Sequence, residues 1–289
     1  MWPRAALAAV APMVLAFVGS FLPLWGWSTQ SWPDRGFAVE LPSFFAKEAR
    51  VAGMYGWIAH DFDTSGVFAM TYLRSEPGLA TPEELAADWG DGATVIGTTQ
   101  EGRDRVVSLA VGETTVNVHE RERGLYLLRF GEMLGPGAGA GRKAVHQRMI
   151  ASVQMLDRPA MIDARTAFEK APADARAMLD YAGQLELNGD AAKADELYAK
   201  LEALGYTTQA DRGRVRLRAF YPEVGGLELV PTWMAAHEDD NTVQFYGARV
   251  LARTGDCAAA VASLTKVADT LRDRDLRTLQ ADLQKCQAR

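Results

Sequence analysis

The sequence predicts an α+β protein in three parts: an N-terminal transmembrane helix, a small module of mixed helices and strands, and an all-helical second half. Three observations carry this. Ala5 to Trp27 runs without a charge, short runs between 93 and 131 alternate with a period of two, and the chain beyond 142 has helical periodicity. The boundaries are 1–31 for the anchor, 32–134 for the module, 135–141 for a glycine-rich linker and 142–289 for the helical domain.

The uncharged run is long enough, at about 1.5 Å per residue, to cross a bilayer core of about 30 Å. Trp25, Trp27 and Trp32 gather at its far end, where an aromatic belt contacts the membrane interface. A cleaved signal peptide is the rival, with Val18-Gly19-Ser20 as its site, but that site lies inside the apolar run. A buried helix is the third reading. The expectation is an uncleaved anchor in the lipid bilayer, a single pass through a bacterial inner membrane, with the bulk of the chain in the periplasm. Arg4 alone supports that orientation.

The 289 residues suffice for one large domain or two modest ones, and a formal net charge of −6 argues against a nucleic-acid partner.

After the anchor, the stretch from Leu41 to Asp63 reads as a short helix, with Phe44, Phe45, Val51, Met54, Tyr55 and Ile58 on an apolar face. Residues 81–90 form a small helix, with Thr81 as cap, Pro82 in the first position and Glu84 completing a capping box. Strands are expected at 93–100, 105–112, 114–120 and 124–131. In the third of these, Thr114, Val116, Val118 and Glu120 share one face, opposite Thr115, Asn117 and His119.

Sites of chemistry are sparse. Asp61 to Gly66 matches the start of a calcium loop, with Asp61, Asp63 and Ser65 as oxygen ligands and His60 adjacent. Position 12 of that loop is Tyr72, not a glutamate, so a polar turn is the plainer reading. Gly135 to Gly141 lacks the Gly-Lys-Ser/Thr of a phosphate loop. No nucleophile elbow or CxxC motif is present, and no cofactor is expected.

The helical half begins with a basic amphipathic segment from Arg142, striped by Val145, Met149, Val153 and Leu156. Further on, two segments superpose at an offset of 66 residues, with Asn188-Gly189-Asp190 matching Thr254-Gly255-Asp256. Ala182 then matches Ala248, Leu185 matches Leu251, Ala194 matches Ala260, Tyr198 matches Leu264 and Leu201 matches Val267. This pattern resembles the tetratricopeptide repeat, a unit of about 34 residues folded as helix, turn and helix. The resemblance covers Asp174 to the C-terminus. It departs from the family in lacking tryptophan at the fourth positions and proline at the unit ends. The middle unit has poor register, interrupted at 221–231. The resemblance implies stacked helices with a concave surface for a protein or peptide.

Arg212, Arg214, Arg216 and Arg218 form the most concentrated basic patch and the candidate partner-binding surface; a solvated face is the alternative. In the repeat reading, Cys257 opens a second helix and Cys286 lies on a terminal helix that returns alongside it. A disulfide is the expectation there, and two buried free thiols the alternative. Together these readings predict no enzyme, but an accessory, assembly or scaffold subunit bound to other subunits of a membrane protein complex. The alternative is an enzyme or a ligand or cation sensor with its site in 32–134.

Overall fold

In a computed structural model of the chain, the described residues are 26–42, 48–51, 54–60, 66–74, 76–102 and 104–288. They divide after Pro159 into two compact units.

The first unit is built on antiparallel strands. A three-stranded sheet pairs β1 (Trp27–Trp32), β2 (Phe37–Pro42) and β10 (Gln154–Met155) in the order β1-β2-β10. A seven-stranded sheet has the order β3-β4-β5-β9-β8-β7-β6. Its strands are β3 (Glu48–Val51), β4 (Met54–His60), β5 (Gly66–Leu73), β6 (Thr94–Glu101), β7 (Asp104–Val111), β8 (Thr114–Arg123) and β9 (Tyr126–Leu134). Among the described residues two α-helices accompany them, α1 (Pro82–Asp88) and α2 (Ala140–Ala151).

Alternation along the strands supplies two cores. Val67, Ala69, Leu128 and Phe130 pack on one face with Phe37, Val39 and Leu41 of β2 and Val145 and Met149 of α2. Phe68, Met70, Val107, Leu109, Val116 and Val118 pack on the other, under Leu85 of α1. Burying each leucine-sized side chain stabilises the unit by about 1.5–3 kcal/mol. The capping box at Thr81 and Glu84 forms with both of its hydrogen bonds, so α1 starts where its sequence directs. The four predicted strands form as well, each of them longer or shifted by a residue or two. β8 buries side chains on both faces near its centre, Val118 on one and His119 on the other.

Four expectations are corrected here. Among the described residues no helix is long and apolar enough to cross a membrane. Residues 1–25, Trp25 included, lie outside the described residues. The predicted end of the anchor is β1, in which Trp27 pairs with Pro42 and Trp32 with Phe37. The polar run Ser28-Thr29-Gln30-Ser31 cannot continue an apolar helix, and it forms a hairpin strand instead. Trp27 and Trp32 pack against the core of the first unit rather than forming a membrane belt. The anchored placement therefore has no support in the described structure. With it fall the inner-membrane and periplasmic location, the bilayer contact and the membrane-complex subunit role.

Second, the described residues of the predicted helix over 41–63 are strand: Leu41 and Pro42 end β2, and β3 pairs with β4, with Glu48 opposite Trp57 and Val51 opposite Met54. A short mixed apolar run rich in aromatic and β-branched residues fits either period, and the sheet claims it. Third, the glycine-rich stretch 135–141 does not divide the chain. The helix that follows it packs Val145 and Met149 onto the first unit's sheet, and the division falls after Pro159. Fourth, α2 therefore belongs to the first unit instead of opening the second.

The second unit is helical: α3 (Pro159–Lys170), α4 (Ala175–Leu187), α5 (Ala191–Ala203), α6 (Thr207–Phe220), α7 (Val230–Ala236), α8 (Asn241–Thr254), α9 (Cys257–Val267) and α10 (Asp273–Gln287). Three of its turns share one geometry. The amides of Asp190, Tyr206 and Asp256 donate to the carbonyls of Leu185, Leu201 and Leu251 at 2.9, 3.0 and 2.9 Å. The residue before each is a glycine at positive φ: Gly189, Gly205 and Gly255. Ala182, Ala194, Ala248 and Ala260 are fully buried, as the 66-residue offset requires of small residues between close helices. Of the matched large residues, Leu264 alone is only partly buried, against the same core. The irregular middle unit has a physical cause. Residues 222–224 and 227–229 form single 3₁₀ turns, so only seven residues remain for α7.

Candidate functional site

The four arginines of α6 do not form a free basic patch. Arg212 pairs with Asp240, Arg214 with Glu202, and Arg218 with Asp195. Arg216 holds Glu186 through two hydrogen bonds, at 2.6 and 2.8 Å. The i,i+4 spacing puts Arg214 and Arg218 on one side, where both meet acids of α5, while Arg212 meets Asp240 at the start of α8 and Arg216 meets Glu186 of α4. Arg214 and Arg218 also lie over the Trp233 ring, 5.8 and 5.1 Å from its centroid. These contacts make the arginines mortar between helices.

The knot around Glu186 was not foreseen from sequence. Glu186 is 2 % exposed, accepts from the Tyr198 hydroxyl at 3.0 Å, and lends its backbone carbonyl to the Tyr221 hydroxyl at 2.9 Å. Burial, with the Glu186 charge beside it, pushes the Tyr198 hydroxyl well above the ordinary tyrosine range. Burial opposes the charge on Arg216, but the Glu186 carboxylate outweighs it and keeps the guanidinium charged. The available signal was a glutamate on the apolar stripe of α4, one residue after Leu185, which needs a buried cation.

The candidate metal ligands Asp61, Asp63 and Ser65 lie outside the described residues, and His60 is the last residue of β4. Among the described residues no group of three or more His, Cys, Asp or Glu could hold a metal. Three other histidines have structural partners. His119 stacks on Phe130 with ring centroids 5.1 Å apart, His146 Nδ1 meets Glu132 at 3.2 Å, and His237 Nε2 meets Asp211 at 2.8 Å. The row Ser108, Asn117, Glu132 and His146 looks like a relay, but Ser108 donates to the Asn117 amide oxygen at 2.8 Å. An amide is no base, so the row does not activate the hydroxyl. Cys257 and Cys286 form the expected disulfide, with Cα atoms 5.8 Å apart.

Two grooves open on the second unit. One, of about 380 Å³, has an alanine floor from α3 flanked by Asp163, Asp180 and Gln184, and offers no large apolar surface. The other, of about 460 Å³, lies between the start of α4, the end of α5 and the start of α6. Leu179 and Leu201 line it with Asp174, Arg176, Tyr206 and Gln209. The Gly205 turn between α5 and α6 presents Tyr206 at the rim, 46 % exposed, and Leu204 nearby in the chain is 49 % exposed. Leu201 is buried at the same place. The groove's lining mixes apolar and polar surface in about equal share.

No family model matches the chain, and no curated protein matches it. Several solved structures are weakly similar, two of them as follows. One is the cyanobacterial PsbP protein (CyanoP) of Synechocystis sp. PCC 6803, at 14 % identity and TM-score 0.36, covering 45 % of this chain and 92 % of that one. The other is a protein from Bacteroides thetaiotaomicron VPI-5482, at 9 % identity and TM-score 0.27, covering 81 % and 78 %.

Proposed function

We propose that this is a binding protein whose helical second unit seats a segment of a protein partner in the groove between α4, α5 and α6. The observation that carries the reading is Tyr206, 46 % exposed on the wall of the groove that Leu179 and Leu201 also line. Tyrosine, with an apolar ring and a polar tip, is enriched at interfaces. The resemblance of the helical half to the tetratricopeptide repeat supports it, since stacked helix pairs create such surfaces. The Cys257–Cys286 bond supports work in an oxidising compartment. The first unit has a different part in this reading, as a rigid companion held by its own two cores.

Site-specific photocrosslinking in the native host tests it. A benzoylphenylalanine in place of Tyr206 is expected to capture one discrete protein. The same group in place of Val261, an equally accessible position on α9, is expected to capture none. Equal crosslinking at both positions, or none at Tyr206, overturns the reading.

A further inference from the structure

We infer that β6 is a docking edge for a second copy of this chain, the two β6 strands pairing antiparallel about a two-fold axis through Thr99. β6 ends the seven-stranded sheet, and among the described residues only β7 pairs with it. The ladder fixes which of its backbone groups are free. Val111 and Thr114 face each other across the tight Gly112-Glu113 turn, so Val111, Leu109 and Val107 exchange hydrogen bonds with β8. The alternate residues Val106 and Ser108 therefore bond to β6, where Thr99 and Gly97 face them. Thr98 and Gln100, between and beyond those two, turn their N–H and C=O groups away from β7, and both residues are exposed.

The two edges of this sheet are finished differently. β3, at the other edge, is four residues long and includes Glu48 and Arg50. Shortness and charge keep an edge from pairing. β6 has eight residues, with no proline, no lysine and no charge before Glu101. A register shift between Val95 and Gly97 blunts only its first half, and 97–101 continues as a regular open edge. An uncharged edge gives a foreign strand no charge to be selected by. A second copy matches it by symmetry. Thr98 facing Gln100 of the second copy, and Gln100 facing its Thr98, satisfies the free groups of both residues. Thr99 then meets its own symmetry mate at a non-hydrogen-bonded position, where side chains lie closest and a threonine pair is favourable. Glu101 falls opposite Gly97, so no like charges meet. The contact is the same patch on both copies, so assembly closes at two.

Sedimentation velocity of the full chain tests this. A monomer–dimer equilibrium is expected, with the dimer share rising over about a hundredfold range of concentration. Thr98→Pro removes an N–H that faces the second copy and leaves the ladder to β7 whole. It is expected to keep the chain monomeric at every concentration, with an unchanged circular dichroism spectrum. Thiol linkage tests the register without a proline. Cys257 and Cys286 are bonded to each other, so a cysteine placed on β6 is the chain's one free thiol. Thr99→Cys is expected to give a disulfide-linked dimer under mild oxidation, and Thr98→Cys about tenfold less of it, because only residue 99 faces itself. A chain that stays monomeric throughout overturns the inference. So does a dimer that survives Thr98→Pro, or linkage that is equal at the two positions.

Discussion

Gly213 of α6 lies against the ring of Tyr198 on α5 so closely that a Cβ at Gly213 would fall inside the ring's contact surface. Gly247 of α8 stands in the same relation to Met234 of α7, 34 residues further on. In both, a glycine lets a large side chain of the preceding helix reach the backbone of the next.

The two glycines predict different costs. Tyr198 is fully buried and tied to Glu186, so it cannot retreat. Met234 is flexible and can repack. Gly213→Ala is expected to destabilise the second unit by about 1–3 kcal/mol, and Gly247→Ala by less. Urea unfolding of the two variants measures this. Equal costs would contradict the close-approach account.

Tyr198 also predicts an alkaline limit. Its folded value is raised above the ordinary tyrosine value of 10.0 by burial and by Glu186. The stability it contributes is therefore complete below about pH 10 and falls as pH rises beyond it, because the unfolded chain releases the proton first. Thermal unfolding between pH 8 and about pH 11 is expected to show the fall, and Tyr198→Phe to flatten it.

The first unit is predicted to fail on the acid side. Burial lowers the His119 value below 6.5, and Glu132, though burial opposes it, is held below 4.5 by hydrogen bonds from His146 and Asn117. Both shifts are downward, so both contributions are present at neutral pH. The first is lost as pH falls below 6.5 and the second as it falls below 4.5. His119→Gln is expected to remove the upper step from a pH titration of stability and leave the lower one.

The disulfide closes a loop with a sequence separation of 29, which the chain-entropy relation converts to about 3.5 kcal/mol. The bond fixes α10, whose Leu279 and Leu283 complete the core over α8. A Cys257→Ala, Cys286→Ala variant is expected to lose that amount from the second unit and none from the first, read as separate transitions by calorimetry.

Much of this fold is legible in residue patterns, and its failures have identifiable causes. The capping box of Thr81 and Glu84, the alternation of β7 to β9 and the Gly-Asp turns at 189 and 255 are local signals, and local structure obeys them. The strands β3 and β4 are not legible because their short apolar runs match two periods, and only their pairing decides. The arginines of α6 misled for a related reason. Four cations within seven residues read as a surface patch until Glu186, Asp195, Glu202 and Asp240, distant in sequence, come to meet them. Gly213 and Gly247 carried the missing register of the middle unit, visible as a 34-residue spacing. The groove at Tyr206 had no sequence signal, since it exists only where three helix ends converge.

The most direct test of the central claim is hydrogen–deuterium exchange on the chain alone and on the complex purified with the partner caught by the Tyr206 crosslink. The account predicts slowed exchange at 173–179 and 201–209, with the strands of the first unit unchanged. Protection on the first unit's sheet, with the groove exchanging as it does in the free chain, would contradict it.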